Sequence, residues 1–166
     1  MSRNTLQSTI LSVTIPCILC LYAWVTGYSN NLTPHILLQC TLISLAIHAA
    51  IGIPSIITQS ERFYDFTGTI SVWAMIGLCY WRLPIAHVQA RGQLLAIICL
   101  IWTTRLGGFL LFRILKHKKD RRFDQLKRNP VNFLIAWEMS ATWTVITTLS
   151  ALSALTSTTQ APLQFI

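Results

Sequence analysis

His48, Arg105, Arg113 and Glu138 are ionisable, and each stands inside a long apolar stretch of a 166-residue chain. A charge in an apolar medium costs roughly 2.5–3.5 kcal/mol on an insertion scale, so it turns inward and takes a partner or a function. Three kinds of chemistry are open to this set. Arg105 and Glu138 can form a buried ion pair that locks two helices. Arg105 can instead bind an anionic headgroup or a cofactor phosphate, or the group can line a transport path. At about 1.5 Å per residue, Arg105 lies roughly 15 Å from the near end of its apolar stretch, His48 at a similar depth and Glu138 at roughly 10 Å. A long arginine side chain covers that difference, so an Arg105–Glu138 pair with His48 nearby is expected. Arg113 stands close to the end of its stretch and can snorkel to the interface.

Two further segments carry charge. In SERFYDFTGTISVW, residues 60–73, Glu61 and Asp65 are four apart and share a face if a helix begins early. Asp65 serves there as a cap or dipole partner, with Phe63 and Tyr64 as interfacial aromatics, or both acids meet Arg113 or Arg122. In KHKKDRRFDQLKRNP, residues 116–130, most of the charge suits anionic headgroups. Asp120 and Asp124 oppose such headgroups, which points to a defined fold for the loop. No metal site is expected, since His35, His48, His87 and His117 are not paired at helical spacing. No glycine-rich phosphate loop is present either.

The elements that must position these residues are long and greasy. The chain is 53% hydrophobic and only 11% charged, well below the quarter or so typical of soluble domains. Five stretches, 6–27, 36–58, 66–82, 93–115 and 131–155, are long enough to span at about 20 residues each. The expectation is all-α: a polytopic membrane helix bundle forming one domain over 1–166. The first stretch reads as a mature helix rather than a signal peptide. The net charge of +8 then serves topology and lipid attraction, and nucleic acid is not an expected partner. Arg3, Arg62, Lys116, Lys118, Lys119, Arg121, Arg122, Lys127 and Arg128 fall on one side, against Arg82 and Arg91 on the other. That bias puts the N-terminus on the cytoplasmic or matrix side, in the endoplasmic reticulum or the mitochondrial inner membrane. Cys17, Cys20, Cys40, Cys79 and Cys99 all fall within these stretches and read as small hydrophobes. Asn31-Leu32-Thr33 is a glycosylation sequon too close to two spans to be used, and the Thr/Ser-rich stretch 156–160 reads as a loose end.

Four motifs in order, ERFYDFTGT (61–69), IWTTRLGGFLLFRI (101–114), DRRFDQLK (120–127) and FLIAWEMSATW (133–143), resemble the N-terminal half of the steroid 5-alpha-reductase-like membrane proteins. The resemblance covers about residues 60–150. It implies that Glu61, Tyr64, Asp65 and Gly68 form an acidic-aromatic motif, that Arg105, Gly108 and Arg113 belong to a tryptophan-arginine helix, and that Asp120, Arg122 and Phe123 belong to the following loop. It further implies an NADPH-dependent reduction of a lipid double bond, with Arg113, Asp120 and Arg122 toward the cofactor. Two departures stand against that activity. Glu138 replaces the family's usual glutamine, which favours pairing with Arg105. The later cofactor-holding stretch of the family has no counterpart before Ile166. The chain is therefore expected to bind no cofactor alone and to act as a pseudoenzyme or structural membrane subunit among membrane lipids. The alternatives are a reductase completed by a partner membrane subunit, with NADPH, and a small transporter.

Overall fold

The computed structural model describes residues 3–28, 35–83, 90–117, 120 and 123–157. The sequon, the 84–89 connection, Lys118, Lys119, Arg121, Arg122 and most of the 156–160 stretch lie outside them. Five helices follow in order: α1 Arg3–Tyr28, α2 Ile36–Ile57, α3 Tyr64–Arg82, α4 Ala90–His117 and α5 Pro130–Thr156. Each lies within three residues of an expected apolar stretch, and no strand occurs among the described residues. Local signals set several ends. Asn129 caps α5 by accepting from the Val131 N–H at 2.9 Å, and Pro130 stands in the first turn, where its missing N–H costs nothing. Pro16 and Pro54 are carried inside α1 and α2.

Helix α5 packs against all four others; α1 lies on the α2–α5 side and α4 on the α3–α5 side. The core sits where α2, α3 and α5 meet, around Cys40, Met75, Cys79 and Leu152, all 0–1% exposed. There the Cys40 and Cys79 sulfurs approach to 3.7 Å as free thiols. Three glycines leave room for a neighbouring helix, Gly92 for its backbone and Gly52 and Gly107 for a side chain. A Cβ on Gly52 would meet the Trp137 ring at 2.9 Å, one on Gly92 the Ala154 carbonyl oxygen at 2.8 Å, and one on Gly107 the Thr69 hydroxyl oxygen at 1.9 Å.

The expectation of five membrane-crossing helices is met in part. Among the described residues two helices, α2 and α4, are long and apolar enough to cross a membrane, not five. The cause is visible in α3 and α5, whose faces carry threonine, serine and tryptophan. Several of the α5 hydroxyls are satisfied within the helix. Thr144, Thr148 and Thr156 donate to the carbonyls of Ser140, Thr144 and Leu152 at 2.8, 2.7 and 3.0 Å. Hydropathy scales count these side chains as polar although their hydrogen bonds are closed on their own backbone.

Candidate functional site

At one end of the bundle, the turn before α3 meets the loop before α5. Glu61 does not share a helix face with Asp65: α3 begins only at Tyr64, and Glu61 lies in the preceding turn, its carbonyl accepting from the Tyr64 N–H at 3.0 Å. Its buried carboxylate pairs with Lys127 and accepts from the Asp120 N–H at 3.0 Å. Burial alone would push the Glu61 carboxyl up. The ammonium and the donated N–H outweigh it and hold the group below the usual glutamate range. Asp65, in the first turn of α3, lies 3.8 Å from Arg113, and Arg113 lies 3.6 Å from Asp120. Arg113 is thus held between two carboxylates rather than snorkelling away. Asp120 and Phe123 are held at this end, and a 3-10 turn follows at Leu126–Arg128.

Aromatic rings fasten this end. Tyr64 stands 4.7 Å from Phe123 and 5.1 Å from Trp137, and its hydroxyl donates to the Ala136 carbonyl at 2.8 Å. Beside Tyr64 and Asp65 opens a cavity of about 430 Å³ between α3, α4 and α5. Gly68, Thr69, Trp102, Gly107, Ser140 and Trp143 share its wall. Thr69 donates to the Thr103 carbonyl at 3.1 Å, which ties α3 to α4 at the point where Gly107 leaves room. The arrangement suits an apolar molecule flanked by an ionic cluster.

Of the residues singled out from sequence, Glu61, Tyr64, Asp65, Arg113 and Asp120 come together here. Arg122 lies outside the described residues. The cluster of His48, Arg105 and Glu138 is not formed. His48 and Glu138 line a different cavity, between α1, α2 and α5, whereas Arg105 is exposed on α4 and no ion pair joins it to Glu138. Equal depth placed them together on paper, but depth says nothing about the direction each helix face points. Arg105→Leu and Glu138→Leu are therefore expected to change stability additively, within about 0.5 kcal/mol. A thermal-unfolding cycle checks this, and a coupling above about 1 kcal/mol would show that the two do interact. Sequence reasoning passed over Lys127, which lies among many basic residues with nothing to mark it. It also missed the threonines of the cavity wall, whose spacing on α5 (Thr144, Thr147) was the available signal.

The fold and site define an all-α bundle with an ion-paired end and a cavity beside it. Residues 53–166 match the family described as "Protein of unknown function (DUF1295)", and the chain belongs to that family. No curated protein and no solved structure matches it.

Proposed function

We propose that the chain is a membrane-embedded bundle related to the steroid 5-alpha-reductase-like proteins, acting as a structural subunit or catalytically silent relative. All five helices cross the bilayer in this reading, with the ion-paired end toward the cytoplasm or matrix. Support for the membrane comes from apolar α2 and α4 and from outward side chains such as Ile57, Trp81, Phe112 and Trp143, which are 67–81% exposed. Support for the kinship comes from convergence. Residues of all four motifs, far apart in sequence, gather at the α3–α4–α5 cavity or the ion cluster beside it.

The observation that carries the silent reading is the setting of Arg113. An arginine meant for a phosphate should be free to form charge-assisted hydrogen bonds. Arg113 instead lies between Asp65 and Asp120, and a phosphate would have to displace one of them against the repulsion of the other. Exposed basic residues alone attract phosphate weakly and lose that attraction with salt. NADPH titrated onto the purified chain in nanodiscs should bind weakly at low ionic strength. Binding should fade at about 0.15 M and weaken further in Arg122→Ala. Tight binding that survives salt, with hydride transfer to an enone lipid, would overturn the reading.

A second reading, a reductase completed by a partner chain, is favoured by one observation. Arg105 stands midway along α4, exposed on an otherwise apolar face, where a charge calls for a partner. Hydride transfer that appears only when a co-purified chain is added back would decide for it. The transport reading gathers nothing comparable, since only His48 and Glu138 of its three residues share a cavity.

A further inference from the structure

Helix α4 packs on one side, against α3 and α5, and buries Gly92, Ala96, Thr103 and Gly107 there. Arg105 follows Ala96 by nine residues, about 2.5 turns, so it stands on the opposite face. Leu94, Ile98, Ile101, Arg105, Gly108 and Phe112 recur on that face at alternating spacings of four and three, and all six are exposed. This is the spacing by which one helix packs along another. An apolar row suits lipid as well as protein, so the row alone selects no occupant. The charge in it does.

In the membrane reading proposed above, on which this inference rests, Arg105 lies near mid-depth. It is fifteen residues from the start of α4 and twelve from its end, about 22 and 18 Å. Arg113, held between Asp65 and Asp120 at the end of the bundle, is about 12 Å further along. That is beyond the length of one side chain, so Arg105 does not snorkel to the headgroups as a residue near a helix end can. Among the described residues nothing bonds its guanidinium. Glu61, Asp65 and Asp120 are held in the ion cluster, and Glu138 lines the α1–α2–α5 cavity.

A second copy does not answer this charge. Copies inserted in the same orientation and facing through α4 would set Arg105 beside Arg105, and like charges in apolar surroundings repel. The guanidinium offers five donors and no acceptor, in a fork that a carboxylate matches with two parallel hydrogen bonds. Gly108, next in the row, has nothing within 4 Å of where a Cβ would stand. A second backbone can therefore come close beside the charge, as small residues permit between helices in lipid.

The geometry points to the outer face of α4 as a docking surface for one transmembrane helix of a partner protein, with an aspartate or glutamate at mid-depth against Arg105 and a close crossing at Gly108.

The test uses the full chain, dye-labelled in lipid vesicles, and synthetic transmembrane helices of leucine and alanine with glutamate, leucine or lysine at the centre. Energy transfer reads their association. The glutamate peptide should associate about tenfold more tightly than the leucine peptide, as one interhelical polar contact in lipid supplies, and the lysine peptide less tightly than either. Arg105→Leu should remove that preference without lowering the unfolding midpoint, since it takes a charge off the outer surface. Gly108→Leu should weaken association of the glutamate peptide with the same neutrality toward folding. A glutamate preference that survives Arg105→Leu, or a leucine peptide that binds as well as the glutamate one, would overturn the proposal. So would a benzophenone side chain placed at Ile101 that cross-links, in native membranes, a second copy of this chain or lipid alone. Alkaline carbonate extraction separates the two levels. A chain that washes out of its membrane sinks the membrane reading and this surface with it. A chain that stays but shows no glutamate preference sinks the docking surface alone.

Discussion

Lys127→Met should destabilise the bundle by about 3 kcal/mol, the lower end of what is lost when one partner of a buried ion pair is removed. The lower end applies because Lys127 keeps 18% of its side chain exposed, whereas Glu61 keeps 6%. That asymmetry sets the order of effects. Without Lys127, a carboxylate is stranded inside. With Glu61→Gln, the lysine can reach water, and the amide oxygen still accepts from the Asp120 N–H, so about 1 kcal/mol is expected. The double variant should recover much of the Lys127→Met loss. Cys40 and Cys79, both 0% exposed, report unfolding through reaction with a thiol dye on heating. A loss of 3 kcal/mol should lower the midpoint by roughly 6–12 °C for a chain of this size.

The same pair makes a pH prediction. Because the Glu61 carboxyl is held low in the folded state, its contribution is fully present above the unfolded glutamate value of about 4.3. It is lost as pH falls through the lower folded value. In Lys127→Met the sign reverses, since protonation relieves the stranded charge. The gap between the two proteins should narrow as pH falls through the glutamate range. A gap that stays constant with pH would show that Glu61 is not the group responsible.

Gly107→Ala should have the next largest effect, about 1–3 kcal/mol for overpacking. The new Cβ would stand 1.9 Å from the Thr69 hydroxyl oxygen and 3.0 Å from the Thr69 Cβ. Rotating Thr69 away would break its bond to the Thr103 carbonyl, so either α3 and α4 separate or a buried hydroxyl loses its partner. Gly108→Ala is the control, because nothing lies within 4 Å of that position. It should be neutral or slightly stabilising, as alanine favours helix over glycine. Thr69→Ala should rescue most of the Gly107→Ala loss by removing the nearest atom. Equal effects at Gly107 and Gly108 would mean that the close approach of α3 and α4 is not what the glycine permits.

The helices were legible because five apolar stretches are bounded by proline, charge and turn residues, and α2 and α5 begin within a residue of where the sequence places them. What the sequence conveys less well is direction around a helix axis. His48, Arg105 and Glu138 share a depth, but α5 turns Glu138 toward α1 and α2 while α4 turns Arg105 outward. Depth follows from counting residues, whereas facing depends on which neighbour each helix packs against. Asp65 and Arg113 were anticipated as possible partners because both stand near the same end and each has one short reach to make. Lys127 was not, since a basic loop offers many cations and only the folded turn selects one. The cavity wall on α5 was equally hidden, because back-bonded threonines look like a polar helix in composition.

Gly52 and Gly107 each stand on the wall of one of the two cavities. Helices that touch at a crossing point splay apart on either side of it, so a very close contact leaves a wedge next to it. The α3–α4–α5 space is thus the geometric remainder of a tight crossing, with Gly107 against Thr69 at its edge. A core hole shrinks when the chains around it relax, but a wedge is kept open by the contact at its apex. At that crossing the smallest residue sets the distance between α3 and α4, and the space beside it is framed by their two backbones.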